Sequence, residues 1–405
     1  MMETNPLQQE LDRRRGRGDE VIDLVDSNFH RNGHRFPESV LAGLFSDYLR
    51  NRSYAPEPKG DRRAREAISE FYRHSGVPID ADSILITAST SESYSLLFTS
   101  LADGGDNILL PRPTYPLFEY LAELSRLEVR YYDMPRAHRF AIDPDSVAAQ
   151  IDGRTRFLVI ISPSNPTGRI STEDELASAL ALCDGQKISL VFDEVFSEFR
   201  YAGSPQSRSG SLPRPAGLAA SVPVFTLNGI SKMFACPDLK LAWIAATGPA
   251  RLLSPAMDRL EIANDTFLNC SSLSQSILPG LFAEGGSFTS GMVTEVDAGR
   301  RLLLESLSSA GPAVRVVEPV GGIHCVLDID ARGRFADDED FAVSLLRETG
   351  VYLHPGYFYG MDDEGDGRVR AVVTFLKERR ALARGLSLMK AFLSDGRSRS
   401  SDRRS

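Results

Sequence analysis

The sequence predicts an α/β fold: a mostly parallel seven-stranded sheet covered by helices, followed by a smaller α+β domain. Three observations carry that prediction. From about residue 64, helix-like and strand-like segments alternate, the pattern of parallel strands joined by helical crossovers. The run RFLVIIS (156–162) is apolar throughout rather than at every second residue, as a strand buried on both faces requires. After about residue 290 the alternation gives way to one long helix, three strands and a last helix.

Taken in order, AREAISEFY (64–72) is helix-like and stops at Gly76, and SILITA (83–88) is a short apolar strand. ESYSLLFTSLA (92–102) is helix-like, NILLP (107–111) and LEVRYYD (127–133) are strand-like, and RFLVIIS follows. DELASALALC (174–183) is a helix, and KISLVFD (187–193), VPVFTL (222–227) and KLAWIAAT (240–247) complete seven strands. The second domain opens with the apolar stripe of EVDAGRRLLLESLSSAG (295–311). It continues with strands at 323–329, 350–354 and 368–375 and ends in the helix 378–393. The domain expectation is therefore an N-terminal arm with part of the small domain (1–50), a large domain (51–289), a small C-terminal domain (290–393) and a disordered Ser/Arg-rich tail (394–405).

Composition narrows the function. Of 405 residues, 42% are hydrophobic and 25% charged, and the formal charge of −9 argues against a nucleic-acid-binding body. No run of about 18 apolar residues occurs, so no membrane span is expected. The polar N-terminus has no apolar core of a signal peptide. Cys183, Cys236, Cys270 and Cys325 are scattered without metal-ligand spacing, which suits reduced thiols in the cytoplasm.

The polar residues fall where an open α/β sheet binds ligands, at the carboxyl ends of its strands. After 83–88 comes Ser89-Thr90-Ser91-Glu92, a Ser-x-x-Glu capping box that starts a helix and offers N–H groups and hydroxyls suited to a phosphate. After 107–111, RPTYP presents Tyr115 on a proline-stiffened turn, and after 156–162, SPSNPTGRI presents Asn165. The strand 187–193 ends in Asp193, a carboxylate that burial makes costly without a cation. After 222–227 comes Lys232, in a chain with only six lysines among its 46 basic residues; a second of the six, Lys240, lies in the same stretch, LNGISKMFACPDLKLAWI (227–244). Phosphate donors, an aromatic plate, an amide, a carboxylate and a lysine on successive strand ends would together hold pyridoxal phosphate.

SNPTG, DEVFSEF and GISKMFACPDLKLAW, in this order and spacing, resemble the class I/II aminotransferase family of fold-type I pyridoxal-phosphate enzymes, over roughly residues 20–393. The resemblance implies a homodimer with shared active sites, an α-amino acid and a 2-oxo acid as substrates, and pyridoxal 5′-phosphate as cofactor. It implies that Lys232 is the Schiff-base lysine and general base, and that Asp193 pairs with the pyridine nitrogen. Asn165 would serve the ring's O3′ oxygen and the substrate, and Tyr115 would stack on the ring. Phe196 and Ser231 would line the cofactor. Ser89, Thr90, Ser91 and Lys240 would hold the phosphate, together with Tyr54 from the neighbouring subunit. Arg370 would clamp the substrate carboxylate in two parallel hydrogen bonds. Alternation cannot separate Arg370 from Arg368 on the same strand face; its offset from the following apolar strand favours Arg370. His30 lies in a segment that lines the substrate pocket in relatives.

The chain departs from the family at four places. Ser89 stands for a usual glycine, Lys240 for a usual arginine, Gly229 for a frequent serine and Phe196 for a frequent tyrosine. These departures weaken an aspartate- or aromatic-specific assignment. The alternative is a lyase or cyclase on the same scaffold, eliminating or replacing at the β-carbon or closing a ring as capreomycidine synthase does.

Overall fold

Thirteen strands are described: β1 Ile22–Asp23, β2 Ile84–Thr87, β3 Asn107–Arg112, β4 Glu128–Asp133, β5 Thr155–Ile161, β6 Ser189–Asp193, β7 Val224–Gly229, β8 Ala242–Thr247, β9 Val314–Val316, β10 His324–Asp330, β11 Val351–Tyr352, β12 His354–Pro355 and β13 Arg368–Thr374. They come from a computed structural model that describes residues 5–401 other than 207–209, 269, 310, 332 and 362–364, with only the backbone path for 395–401.

Seven of them form one sheet in the order β2-β8-β7-β6-β5-β3-β4, in which β8 alone runs antiparallel to its neighbours. Successive side chains of a strand point to opposite faces, and the core divides accordingly. Phe157, Val159 and Ile161 pack with Leu97, Phe98 and Leu260 on one face. Leu158 and Ile160 pack with Leu176, Leu180 and Phe192 on the other. The central strands are thus apolar on both sides, which is why they read as uninterrupted runs in the sequence, whereas the edge strand β4 is only partly buried.

The second sheet is antiparallel, in the order β12-β13-β10-β9. The helices Gly286–Ser308, Asp338–Thr349 and Arg379–Ser401 belong to this half, and their apolar faces share one core with β10 and β13. The N-terminal segment joins it, since β1 pairs in parallel with β11. Before β1, Pro6–Arg17 is a helix, capped by the Asn5 side chain and closed by Gly18 at φ 73°, that buries Leu7 and Leu11 in the same core.

Three details differ from the sequence expectation. The strand expected at 350–354 is two short strands in different sheets, parted at the buried Leu353. The long helix of the second domain starts earlier, at Gly286. The last helix runs on to Ser401, so the backbone of 394–401, expected to be disordered, is helical; residues 402–405 lie outside the described residues.

Candidate active site

Strand register brings three of the motif segments together. Ala242 at the start of β8 pairs with Thr87, the last residue of β2, and with Gly229, the last residue of β7. The segments 88–91, 230–232 and 240–241 therefore leave the sheet side by side, and the Ile230 N–H donates to the Leu241 carbonyl at 3.1 Å. A side chain on Gly229 would press on the Leu241 carbonyl at 2.8 Å, so this close approach requires glycine. Lys240 turns the chain into β8 in the left-handed region, at φ 49°, a conformation that non-glycine residues adopt rarely and often at functional sites.

The helix Thr90–Leu101 begins at the same edge. The Ser89 hydroxyl oxygen accepts the Glu92 N–H at 3.1 Å. The reciprocal arm of the expected capping box lands one residue early, on the Ala88 N–H. Among the described residues, the hydroxyls of Thr90, Ser91 and Ser231 are not engaged by protein groups. Together with the helix N-terminus and Lys240 they form a donor set suited to an anion.

Asp193 ends β6 and is 6% exposed. Its carboxylate accepts the Tyr94 hydroxyl at 3.0 Å and the Val195 N–H at 3.0 Å. Both donors are neutral, and no cation pairs with it among the described residues. Burial therefore pushes its pKa up to about 6, against the opposing pull of the two donors. A buried carboxylate without a cation is an incomplete arrangement, and a protonated pyridine nitrogen would complete it. Asn165 supplies a second incomplete group: its side-chain oxygen is buried without a partner among the described residues. Its turn is docked on the second domain, because the Gly168 carbonyl accepts the N–H groups of Val320 and Gly321 at 3.0 and 2.8 Å. A side chain on Gly168 would overlap Pro319 at 2.3 Å. On these observations the residues present fit pyridoxal phosphate.

Lys232 lies beyond β7, partly buried, with its Nζ 5.4 Å from the centre of the Phe29 ring. Burial lowers its pKa, and the charge of Lys240 lowers it further. Phe29 packs on Phe199 and Phe199 on Phe196, at 5.8 and 6.2 Å between ring centres. Phe196 in turn meets His324 edge to face at 6.3 Å. The charge of Lys232 reaches His324, whose pKa is pushed down to about 3 by burial first and by that charge second.

Other expected residues make contacts of their own. His30 is turned to the loop after Lys232, with Nε2 2.8 Å from the Ala235 carbonyl oxygen. Tyr115 is 45% exposed, close to Tyr359. Tyr54 is 79% exposed and lines a groove of about 760 Å³ with Tyr48, Ser271 and Gln275. The structure does not bring Arg370 to Lys232. Its guanidinium runs back along β13, donating to Asp366 at 3.0 Å and to the Arg368 carbonyl at 3.1 Å. Arg368 is bound to Asp328 at 3.0 Å. Small-domain carboxylates engage both arginines.

Tyr94, Phe29 and His324 are functional candidates that sequence reasoning missed. Tyr94 and Phe29 read as ordinary core aromatics. His324 left one signal, an imidazole inside the buried apolar run of GGIHCVLDI.

Comparison with known proteins gives the family. The chain belongs to the aminotransferase class I and II family, which it matches over residues 22–384. It is 26% identical over 338 residues to a tyrosine aminotransferase of Caenorhabditis elegans, covering 83% of this chain and 69% of that one. It is 28% identical over 382 residues to nicotianamine aminotransferase 1 of Oryza sativa subsp. japonica, covering 90% of this chain and 74% of that protein. In fold it is similar to an alanine aminotransferase of Pyrococcus furiosus, with a TM-score of 0.87, 22% identity and 96% of each chain covered.

Proposed function

We propose that this aminotransferase exchanges an amino group between an α-amino acid and a 2-oxo acid through pyridoxal 5′-phosphate held as a Schiff base on Lys232. The observation that carries the reading is the buried Asp193 carboxylate without a cation, at the end of the strand beside the one that leads to Lys232. Pyridoxal phosphate, when bound, supplies the electron sink for the substrate carbanion. The protein's own groups do the rest. Asp193 would hold a proton on the ring nitrogen. Lys232, whose ammonium is already destabilised, is the nucleophile and then moves the proton at the substrate's Cα. Thr90, Ser91, Ser231 and Lys240 would hold the phosphate, Asn165 would serve the ring oxygen, and Tyr115 would cover the ring. Elimination or cyclisation is not favoured by the family match.

The same reading makes the enzyme a cytoplasmic homodimer in which Tyr54 reaches the partner's site. An exposed tyrosine in a broad groove supports this, as do four buried free cysteines. Among the described residues no helix is long and apolar enough to cross a membrane. Lys232→Ala should abolish both the visible absorbance of lysine-bound cofactor and turnover, the latter by about 10³-fold or more. Tyrosine and alanine, after the names of the compared proteins, are the first amino donors to screen. A borohydride-reducible lysine–cofactor adduct surviving in Lys232→Ala would sink the assignment.

A further inference from the structure

The four-stranded sheet presents a graded series of side chains along one face. Strand register sets His324 opposite Thr374, then Val326 opposite Val372 with His354 beyond it, then Asp328 opposite Arg370. The His324 end of this face lies toward Lys232 and Phe196. Arg370 is four residues farther along the strand, about 13 Å at the usual rise, and its guanidinium points farther away still, to Asp366.

The polar groups nearest the site are mostly committed. The Thr374 hydroxyl donates to the Ile323 carbonyl at 2.7 Å. His354 meets the Tyr359 hydroxyl at 3.1 Å. The exception is His324, which is 5% exposed and whose ring nitrogens have no hydrogen-bond partner among the described residues. Neither nitrogen is fully enclosed. Polar groups so nearly enclosed are seldom left without a partner in native proteins. A ligand group is the partner that this place implies.

We propose that His324 is a substrate-binding residue whose imidazole N–H receives the α-carboxylate common to the amino acid and the oxo acid. The proposal rests on the aminotransferase reading with Lys232 as the anchoring lysine. An α-carboxylate is the one anion that every substrate of such a reaction carries, and the arginine expected to take it is engaged elsewhere. The turn that carries Asn165 closes on the residues leading into His324, so an amide and an imidazole, both unpartnered, approach from adjoining segments. Phe196 packs edge to face with the imidazole. A neutral imidazole is a weaker carboxylate ligand than a guanidinium, which predicts loose substrate binding for this enzyme.

The test is steady-state kinetics of the loaded enzyme with each of the twenty L-amino acids as donor, for wild type, His324→Phe and His324→Gln. His324→Phe should lower kcat/KM by about 10- to 100-fold for every donor alike, chiefly through KM. His324→Gln keeps a donor and should recover most of that loss. Competition by sodium propionate, a bare carboxylate, should weaken in the Phe variant and return in the Gln variant. A loss confined to donors of one side-chain class would mean that His324 reads the side chain, and unchanged kinetics would mean that it reads nothing; either result overturns the proposal. Intact lysine-bound cofactor absorbance in all three proteins shows that the parent reading stands apart from this outcome. Its absence from wild type would overturn both.

Discussion

Asp193 and Glu194 are consecutive carboxylates, 6% and 0% exposed, and their surroundings are opposite. Glu194 lies in a closed network. The Arg214 guanidinium donates to it, and Asn228 donates to it at 3.1 Å. Arg214 in turn lies over the rings of Phe71 and Tyr72, 5.9 and 5.6 Å from their centres. The Tyr72 hydroxyl accepts the Trp243 indole N–H at 3.1 Å. Asp193 has two neutral donors and no cation among the described residues. Residues that follow one another out of a strand face opposite ways, and here one way leads into the protein and the other into the site. The chain neutralises the charge it keeps for structure and leaves open the one that a ligand would complete.

The sharpest way to break this comparison is Glu194→Gln. It leaves the buried Arg214 guanidinium without its hydrogen-bonded counter-charge, with only the Glu198 carboxylate acting on it, which should cost about 3 kcal/mol of stability. Denaturant unfolding measures that loss. Turnover per folded molecule should stay within about threefold of wild type, because Glu194 faces away from the cofactor residues. A large loss of turnover at unchanged stability would erase the distinction between the two carboxylates.

Asp193→Asn should do the reverse. Turnover should fall by about 10²- to 10³-fold, the usual effect of removing one preorganised electrostatic partner, while the fold is not weakened. Stability of the cofactor-free protein against pH sharpens the point. The Asp193 carboxyl has a pKa raised from 3.8 to about 6 on folding, so the folded state holds this proton more tightly than the unfolded chain. That contribution is fully present below the unfolded value and is lost as pH rises through the folded one. Its loss should amount to roughly 2–3 kcal/mol. Thermal unfolding of the cofactor-free wild type should show the decline between about pH 4 and pH 6, and Asp193→Asn should lack it. Equal slopes in the two proteins would mean that the carboxyl is not poised by burial.

Sequence reasoning reached Asp193 but not its environment, for a physical reason. A carboxylate at the end of ISLVF stands out because the preceding residues are apolar on both faces. Lys232, Asn165 and the Ser89 turn were legible on the same ground, each a polar break just past a buried strand. The central strands of the large sheet were legible because burial on both sides leaves unbroken apolar runs. Tyr94, Phe29 and His324 were not, since a helix stripe or a strand shows which face is buried but not what lies across from it. Arg370 illustrates the other limit. Alternation placed it on a face with Arg368, while the direction of its long side chain was decided by Asp366, a contact that periodicity does not encode. Alternation at 350–354 likewise could not reveal that Leu353 parts two strands in different sheets.

Tyr94→Phe probes the same contrast with the smallest expected effect. The tyrosine hydroxyl donates to Asp193 Oδ2 at 3.0 Å inside the core. Its own pKa is raised well above the ordinary value by burial first and the Asp193 charge second, so it remains a neutral donor. Phenylalanine keeps the ring that packs edge to face on Phe118 at 4.9 Å, so little packing is lost. What is lost is one hydrogen bond to a charged acceptor, worth about 1.5–3 kcal/mol. Part of this would return in the loaded enzyme, where on the proposed reading a protonated ring nitrogen would also face the carboxylate. Turnover should therefore fall by about tenfold, well short of the Asp193→Asn loss. In the cofactor-free protein nothing offsets the missing donor. The Asp193 carboxyl should titrate at still higher pH, and the decline in thermal stability should shift upward with it. A Tyr94→Phe protein whose stability profile overlays that of wild type would show that the hydroxyl does not bear on Asp193. The open side of the pair would then be held by the backbone N–H of Val195 alone.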